Sequence, residues 1–139
     1  MTRKSVNDLV RAAKAEIEEL SVEQLQAEIE AGSCTVIDIR DVRELWTLGA
    51  IPGAHSMPRG MLEFWFDPES PYYRGGLDLD ERYVLHCAGG HRSALAAKVL
   101  QDLGYTNVAH LEVGFNGWKD AGGAVEPVRP NPKYFTPEG

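Results

Sequence analysis

The segment YVLHCAGGHRSALAAKVLQDLG, residues 83–104, limits the possible folds more than any other stretch of the chain. A β-forming run from Tyr83 ends on Cys87, two glycines follow, and an alanine- and leucine-rich helical pattern then runs from Ser93 to a glycine stop at Gly104. The next β-forming run, NVAHL (107–111), starts almost at once. A strand that feeds a helix and then another strand does not close as a hairpin. It makes a crossover, which joins parallel strands and is right-handed in nearly all known sheets.

The rest of the chain keeps the same alternation. Ser5 with Asp8, and Ser21 with Gln24, have the spacing of helix capping boxes. The spacing of Leu9, Ala13, Ile17 and Leu20 predicts an amphipathic helix over 6–19. A second helix should turn Leu25 and Ile29 inward and stop at Gly32. TVIDI (35–39) is a β-branched run of the buried-strand kind, and Asp41 and Glu44 open a short helix that ends near Gly49. A brief strand is expected around 54–57, a helix or helical turn in RGMLEFWF, a loop over 67–82 and a short helix over 115–123. The tail from Val125 carries four prolines and should trail over the surface. These elements predict an α/β fold: a central, mostly parallel sheet flanked by helices on both faces, with an extra N-terminal helix. The expected division is a helical extension over 1–20, one domain over 21–127 and a tail over 128–139.

The 139 residues can bury a real core without staples, and 43% hydrophobic with 25% charged residues is ordinary for a soluble globule. The net charge of −7 argues against a nucleic-acid partner and against electrostatic capture by an acidic membrane. An anionic substrate must therefore be held by local donors. No apolar run is long enough to span a bilayer, and the N-terminus lacks a signal-peptide core, so a cytoplasmic location is expected. Neither Cys34 nor Cys87 belongs to a CxxC pair or a Cys/His cluster, so no metal is implied.

In an open α/β sheet, ligands bind beyond the carboxyl ends of the strands, and Cys87 stands at such an end. Gly89 and Gly90 give the loop CAGGHR backbone freedom to turn successive N–H groups inward as an anion-binding nest. The following helix start adds unpaired N–H groups and its dipole. A thiol there should ionise more readily than free cysteine, whose pKa is about 8.5; comparable sites fall to roughly 3.5–7.5. Cys87 is therefore the candidate nucleophile, and Ala88, Gly89, Gly90, His91 and Arg92 form the candidate cradle.

With these residues in place, HCAGGHRSALAAKVLQDLGYTNVAHLEVGFNGWKDAGGAVE resembles the active-site half of a rhodanese domain, and VIDIRDVRELWTLGAIPGAHSMP resembles its N-terminal half. The resemblance covers about residues 20–127. It implies a single-domain sulfurtransferase in which Cys87 takes sulfane sulfur from thiosulfate or a similar anion as a persulfide. Cyanide or a thiol, small or on a protein, then removes that sulfur. No organic cofactor is implied. Related cysteine phosphatases of the same fold use seven residues from cysteine to arginine, whereas Cys87 to Arg92 is six, a narrower ring suited to one sulfur atom. A reading from a different class is a sulfur-relay or redox-sensing module that hands its persulfide to a protein partner.

Several residues have two open roles. Arg92 could hold a substrate oxygen or brace the loop. His91 could donate to an anion at the loop mouth or stay solvated. Ser93 is expected to cap the helix, with its hydroxyl near the sulfur as a secondary effect. Asp38, in the DIR segment, would accept hydrogen bonds from the cysteine loop or from Arg92, and Glu44 belongs to its helix cap. Arg59 is a candidate anion contact near the rim. Ala50 stands where the family often has histidine. Cys34 reads as structural. The rings of LEFWF with Tyr72 and Tyr73 should mostly pack in the core, although a pocket wall or a homodimer face is also open to them.

Overall fold

The computed structural model of the protein describes residues 2–130. In chain order its elements are α1 (Val6–Lys14), β1 (Glu18–Leu20), α2 (Val22–Ala31), β2 (Thr35–Asp38), α3 (Val42–Leu48) and β3 (His55–Ser56). A 3-10 turn at Arg59–Met61 then leads into α4 (Leu62–Phe66), β4 (Tyr83–His86), α5 (His91–Asp102), β5 (Val108–Leu111) and α6 (Gly114–Asp120). The strands form one sheet in the order β1-β5-β4-β2-β3, and every pairing is parallel. β4, which leads to Cys87, is the middle strand.

The pleat divides the core in two. Successive strand residues point to opposite faces. Ile37, Tyr83 and Leu85 accordingly join a cluster with Leu62, Phe66, Ala96, Ala97 and Leu100 from α4 and α5. Their neighbours Val36 and Val84 join a second cluster with Leu25 of α2 and Phe115 and Trp118 of α6. β4 is buried along its whole length, so its C-terminal end is fixed by packing on both sides.

Helix starts follow the local chemistry. Both serine capping boxes form, Asp41 and Glu44 make a third, and Gly32 ends α2 in the left-handed conformation. Two expectations need correction. The N-terminal helix stops at Lys14, and residues 18–20 instead pair with Ala109–Leu111 as an edge strand. The inward residues of α1 are Val10 and Ala13, packed with Ala94 of α5, while Leu9 is exposed. A fourth helical turn would bond only within itself and leave the β5 edge open, whereas residues 18–20 as a strand pair that edge. The aromatic cluster also differs. α4 has little more than one turn, so Leu62 and Phe66, four residues apart, are fully buried and Trp65 packs against the core from its edge. Phe64 and Tyr72 are exposed and meet edge-to-face, and Trp65 stacks on Arg74.

The tail is pinned where it leaves the domain. Glu126 exchanges both backbone hydrogen bonds with Ala50, at 2.9 and 2.8 Å. Trp118 Nε1 donates to the Ala124 carbonyl at 2.8 Å. The expected course of the tail beyond Pro130 lies outside the described residues.

Candidate active site

Cys87 lies one residue past β4, in the core of the fold, and is only 1% exposed. Its sulfur is the focus of several donors. The Gly90 N–H donates to Sγ at 3.2 Å and the Ser93 N–H at 3.4 Å, while the Ser93 hydroxyl lies 3.6 Å away. Burial by itself would push the thiol pKa up. The Ser93 hydroxyl and the Ser93, Gly90 and Gly89 amides outweigh it, so Cys87 titrates below its ordinary range. Cys34 is the opposite case: half-buried and next to Glu28, its thiol is pushed up.

The loop holds this shape because the β5–α6 segment supports it from behind. The Cys87 carbonyl accepts from the Phe115 N–H at 2.8 Å and the Ala88 carbonyl from the Asn116 N–H at 3.0 Å. In a trans peptide the N–H points opposite to the C=O. With these carbonyls directed at α6, the Ala88 and Gly89 amides face the other way, into the loop. Two glycines make this approach possible. Gly90 has φ +94°, and a Cβ there would lie 2.1 Å from the Glu112 carbonyl oxygen. Gly114 has φ +67°, and a Cβ there would lie 2.4 Å from the Ala88 oxygen and 2.8 Å from the Gly89 nitrogen.

The charged residues around the loop pair with one another. Arg92 makes a two-pronged ion pair with Glu44, at 2.9 and 3.1 Å. Glu44 also accepts from the Asp41 N–H, so it caps α3 and ties the loop to that helix. Glu44 holds the Arg92 pKa up and the sulfur anion adds to this, while Arg92 keeps the Glu44 carboxyl below its ordinary value. Asp38 does not serve Arg92. Its carboxylate pairs with Arg40 at 2.8 Å, both side chains fully buried, and Arg40 also donates to the Gly49 carbonyl and lies on the Phe115 ring. Two residues separated only by Ile39 satisfy each other at little cost in chain entropy, and His86 of β4 lies 3.6 Å from the same carboxylate. Arg59 pairs with Glu63 at 2.7 Å. His91 begins α5 and is exposed, with a hollow of about 230 Å³ between it and Asn7, Val10, Arg11 and Lys14.

Ser93 requires a further correction. Gly90, without a side chain, occupies the N-cap position of α5, and Ser93 is in the first turn of the helix, fully buried. Its hydroxyl sits between the sulfur and His110 of β5, with Oγ 2.7 Å from His110 Nδ1. His110 Nε2 is in turn 2.9 Å from a Glu19 carboxylate oxygen on β1. Lys14 of α1 reaches the same carboxylate at 3.3 Å. None of His110, Glu19 and Gly114 stands out in the sequence as a site residue. A histidine inside the apolar run NVAHL is the one available signal.

Comparison with known proteins agrees with this geometry. The family model for the rhodanese-like domain matches residues 21–121. The thiosulfate sulfurtransferase GlpE of Shewanella oneidensis is 33% identical over 102 residues, covering 73% of this chain and 92% of that protein. Among solved structures, a protein of unknown function from Rhodopseudomonas palustris, described as a possible tyrosine phosphatase, superposes with a TM-score of 0.85 at 44% identity, covering 91% of this chain and 97% of that one. The polysulfide-sulfur transferase homodimer of Wolinella succinogenes superposes with a TM-score of 0.71 at 30% identity, covering 86% and 85%.

Proposed function

The chain belongs to the rhodanese-like domain family, and from that premise we propose that it is a sulfurtransferase working through a persulfide on Cys87. The observation that carries this reading is the pair of backbone N–H donors, Gly90 and Ser93, directed at one buried sulfur, with the Ser93 hydroxyl beside it. Such donors favour an anion at that point, first the thiolate and then the terminal sulfur of a persulfide.

The cycle has two displacements. The Cys87 thiolate attacks the outer sulfur of thiosulfate or a similar donor. A new S–S bond forms, the donor's own S–S bond breaks, and its electron pair leaves with sulfite. The persulfide is then attacked at its outer sulfur by cyanide or a thiolate, which takes that atom and restores the Cys87 thiolate. The thiolate is the competent species throughout, and rates follow its ionisation and the acidity of the leaving group. The amides from Ala88 to Arg92 form the cradle, with Glu44 and Arg92 bracing its rim. The unneutralised negative charge of the chain makes these local donors necessary for an anionic donor. A reduced thiol of this kind fits the cytoplasm, where thiols are kept reduced.

Mass spectrometry after thiosulfate treatment tests the assignment. The native protein should gain one sulfur atom and Cys87→Ser should not; a gain that persists in the variant rejects Cys87 as the carrier. Steady-state thiosulfate:cyanide turnover, set against transfer from a persulfidated protein donor, tells an enzyme on small molecules from a relay module. Hydrolysis of an aryl phosphate without sulfur loading would favour phosphatase chemistry instead.

A further inference from the structure

The hydrogen bonds beneath Cys87 continue past the loop, along Ser93 and His110 to Glu19. We propose that His110 is a positioning residue that holds the proton released by Cys87, passed to it through the Ser93 hydroxyl and secured by the Glu19 carboxylate. The proposal rests on the reading of Cys87 as the sulfur-carrying thiol.

The directions of the hydrogen bonds follow from the partners. An ionised carboxylate can only accept, so His110 Nε2, 2.9 Å from Glu19, carries a hydrogen. In the neutral ring Nδ1 is then an acceptor, and the Ser93 hydroxyl, 2.7 Å away, donates to it. That leaves a lone pair on Ser93 Oγ facing the sulfur at 3.6 Å, where it can accept the thiol hydrogen. From this state one proton can move in two linked steps. The S–H bond breaks as a new O–H bond forms on Ser93, and the original Ser93 O–H bond breaks as an N–H bond forms on Nδ1. The products are a thiolate, an intact hydroxyl now donating to it, and an imidazolium donating to Ser93 and to Glu19. No atom or electron is gained or lost, and each hydrogen bond in the chain has a donor and an acceptor both before and after. Ser93 and His110 are fully buried, so water does not compete for these bonds.

The surroundings set how readily the imidazolium forms. Burial lowers the His110 pKa, while Glu19 of β1 and Glu112 just beyond β5 act to raise it; Lys14 of α1 opposes them. Burial also raises the Glu19 carboxyl, but His110 and Lys14 outweigh that and keep it below its ordinary value. The net pull on His110 is downward, so the thiolate itself, through Ser93, is the partner that makes the proton's stay there favourable. This gives α1 and β1, both outside the matched family region, a part in the site.

The test is the pH dependence of Cys87 alkylation by iodoacetamide, followed by peptide mass in a Cys34→Ser background. His110→Asn keeps a polar group beside Ser93 but cannot hold a proton. The midpoint should rise by about one pH unit, so that alkylation below both midpoints slows about tenfold. Glu19→Gln removes the anion behind the imidazole and should move the midpoint the same way by less. Ser93→Ala should raise the midpoint, and adding His110→Asn to it should change nothing more. A midpoint that stays put or falls in any of the three single variants that folds overturns the proposal, as does a full His110→Asn effect in the absence of the Ser93 hydroxyl. Should His110→Asn fail to fold, Glu19, whose side chain is 28% exposed, supplies the same test. A merely structural His110 would change urea stability without moving the midpoint. The readout uses no sulfur donor, so failure to load sulfur would reject the proposed function and leave this result standing.

Discussion

Gly114 gives the sharpest test of how the sulfur cradle is built, because it lies outside the cradle and supports it from behind. A methyl group there would sit 2.4 Å from the Ala88 oxygen and 2.8 Å from the Gly89 nitrogen. Backbone on both sides leaves no flexible side chain to yield, so the loop must shift. Gly114→Ala then has two costs. A left-handed φ of +67° costs an alanine about 1–2 kcal/mol. Displacing Ala88 breaks the Asn116 N–H···O bond; Ala88 is half-buried and Asn116 exposed, so water takes up part of the loss and the cost is about 0.5–1.5 kcal/mol. The sum, about 1.5–3.5 kcal/mol, should lower the urea midpoint by about 1–2 M at a slope of about 2 kcal/mol/M. Gly122 provides the control: its φ is +84°, but nothing lies within 4 Å of an added Cβ. Gly122→Ala should show the conformational cost alone and load sulfur normally. Urea unfolding and the mass of the thiosulfate-treated protein measure both effects. If Gly114→Ala is no less stable than Gly122→Ala, or loads sulfur at the native rate, the loop is not held from behind as described.

Other expectations follow from the same contacts. Asp38→Asn leaves the Arg40 charge buried without its counter-ion and should cost about 3–5 kcal/mol in denaturant unfolding, as breaking one side of a buried pair does. Glu44→Gln should cost less than about 1 kcal/mol, because the pair with Arg92 is partly solvated. The Glu44 carboxyl is depressed below its ordinary 4.5, so its stabilisation is complete above that pH and is lost as pH falls through the lower folded value. Glu44→Gln should therefore flatten the acid side of a stability–pH curve; an unchanged acid limb would show that Arg92 does not depress it. Cys34→Ser should leave thiosulfate-dependent mass gain unchanged, and a loss of loading would give that thiol a role the geometry does not predict.

Some of this protein can be read directly from its sequence because the physics there is local. Ser5, Ser21 and Asp41 cap helices with groups three residues away, so spacing is enough to find them. The alternation of β-forming runs with helices dictates parallel crossovers, and a cysteine followed by two glycines at a helix start marks the thiol. Tertiary structure decided what depends on distant partners. Residues 18–20 become a strand only because β5 offers them an edge. Ser93 loses the cap role because Gly90, pressed against the Glu112 carbonyl, already occupies the N-cap, and it keeps the expected place of its hydroxyl beside the sulfur. Arg92 meets Glu44 from 48 positions away, and His110 meets Glu19 from 91. Periodicity and capping act over a few residues. Which charge neutralises which, and what lies beneath the sulfur, is determined only when the strands take their order in the sheet.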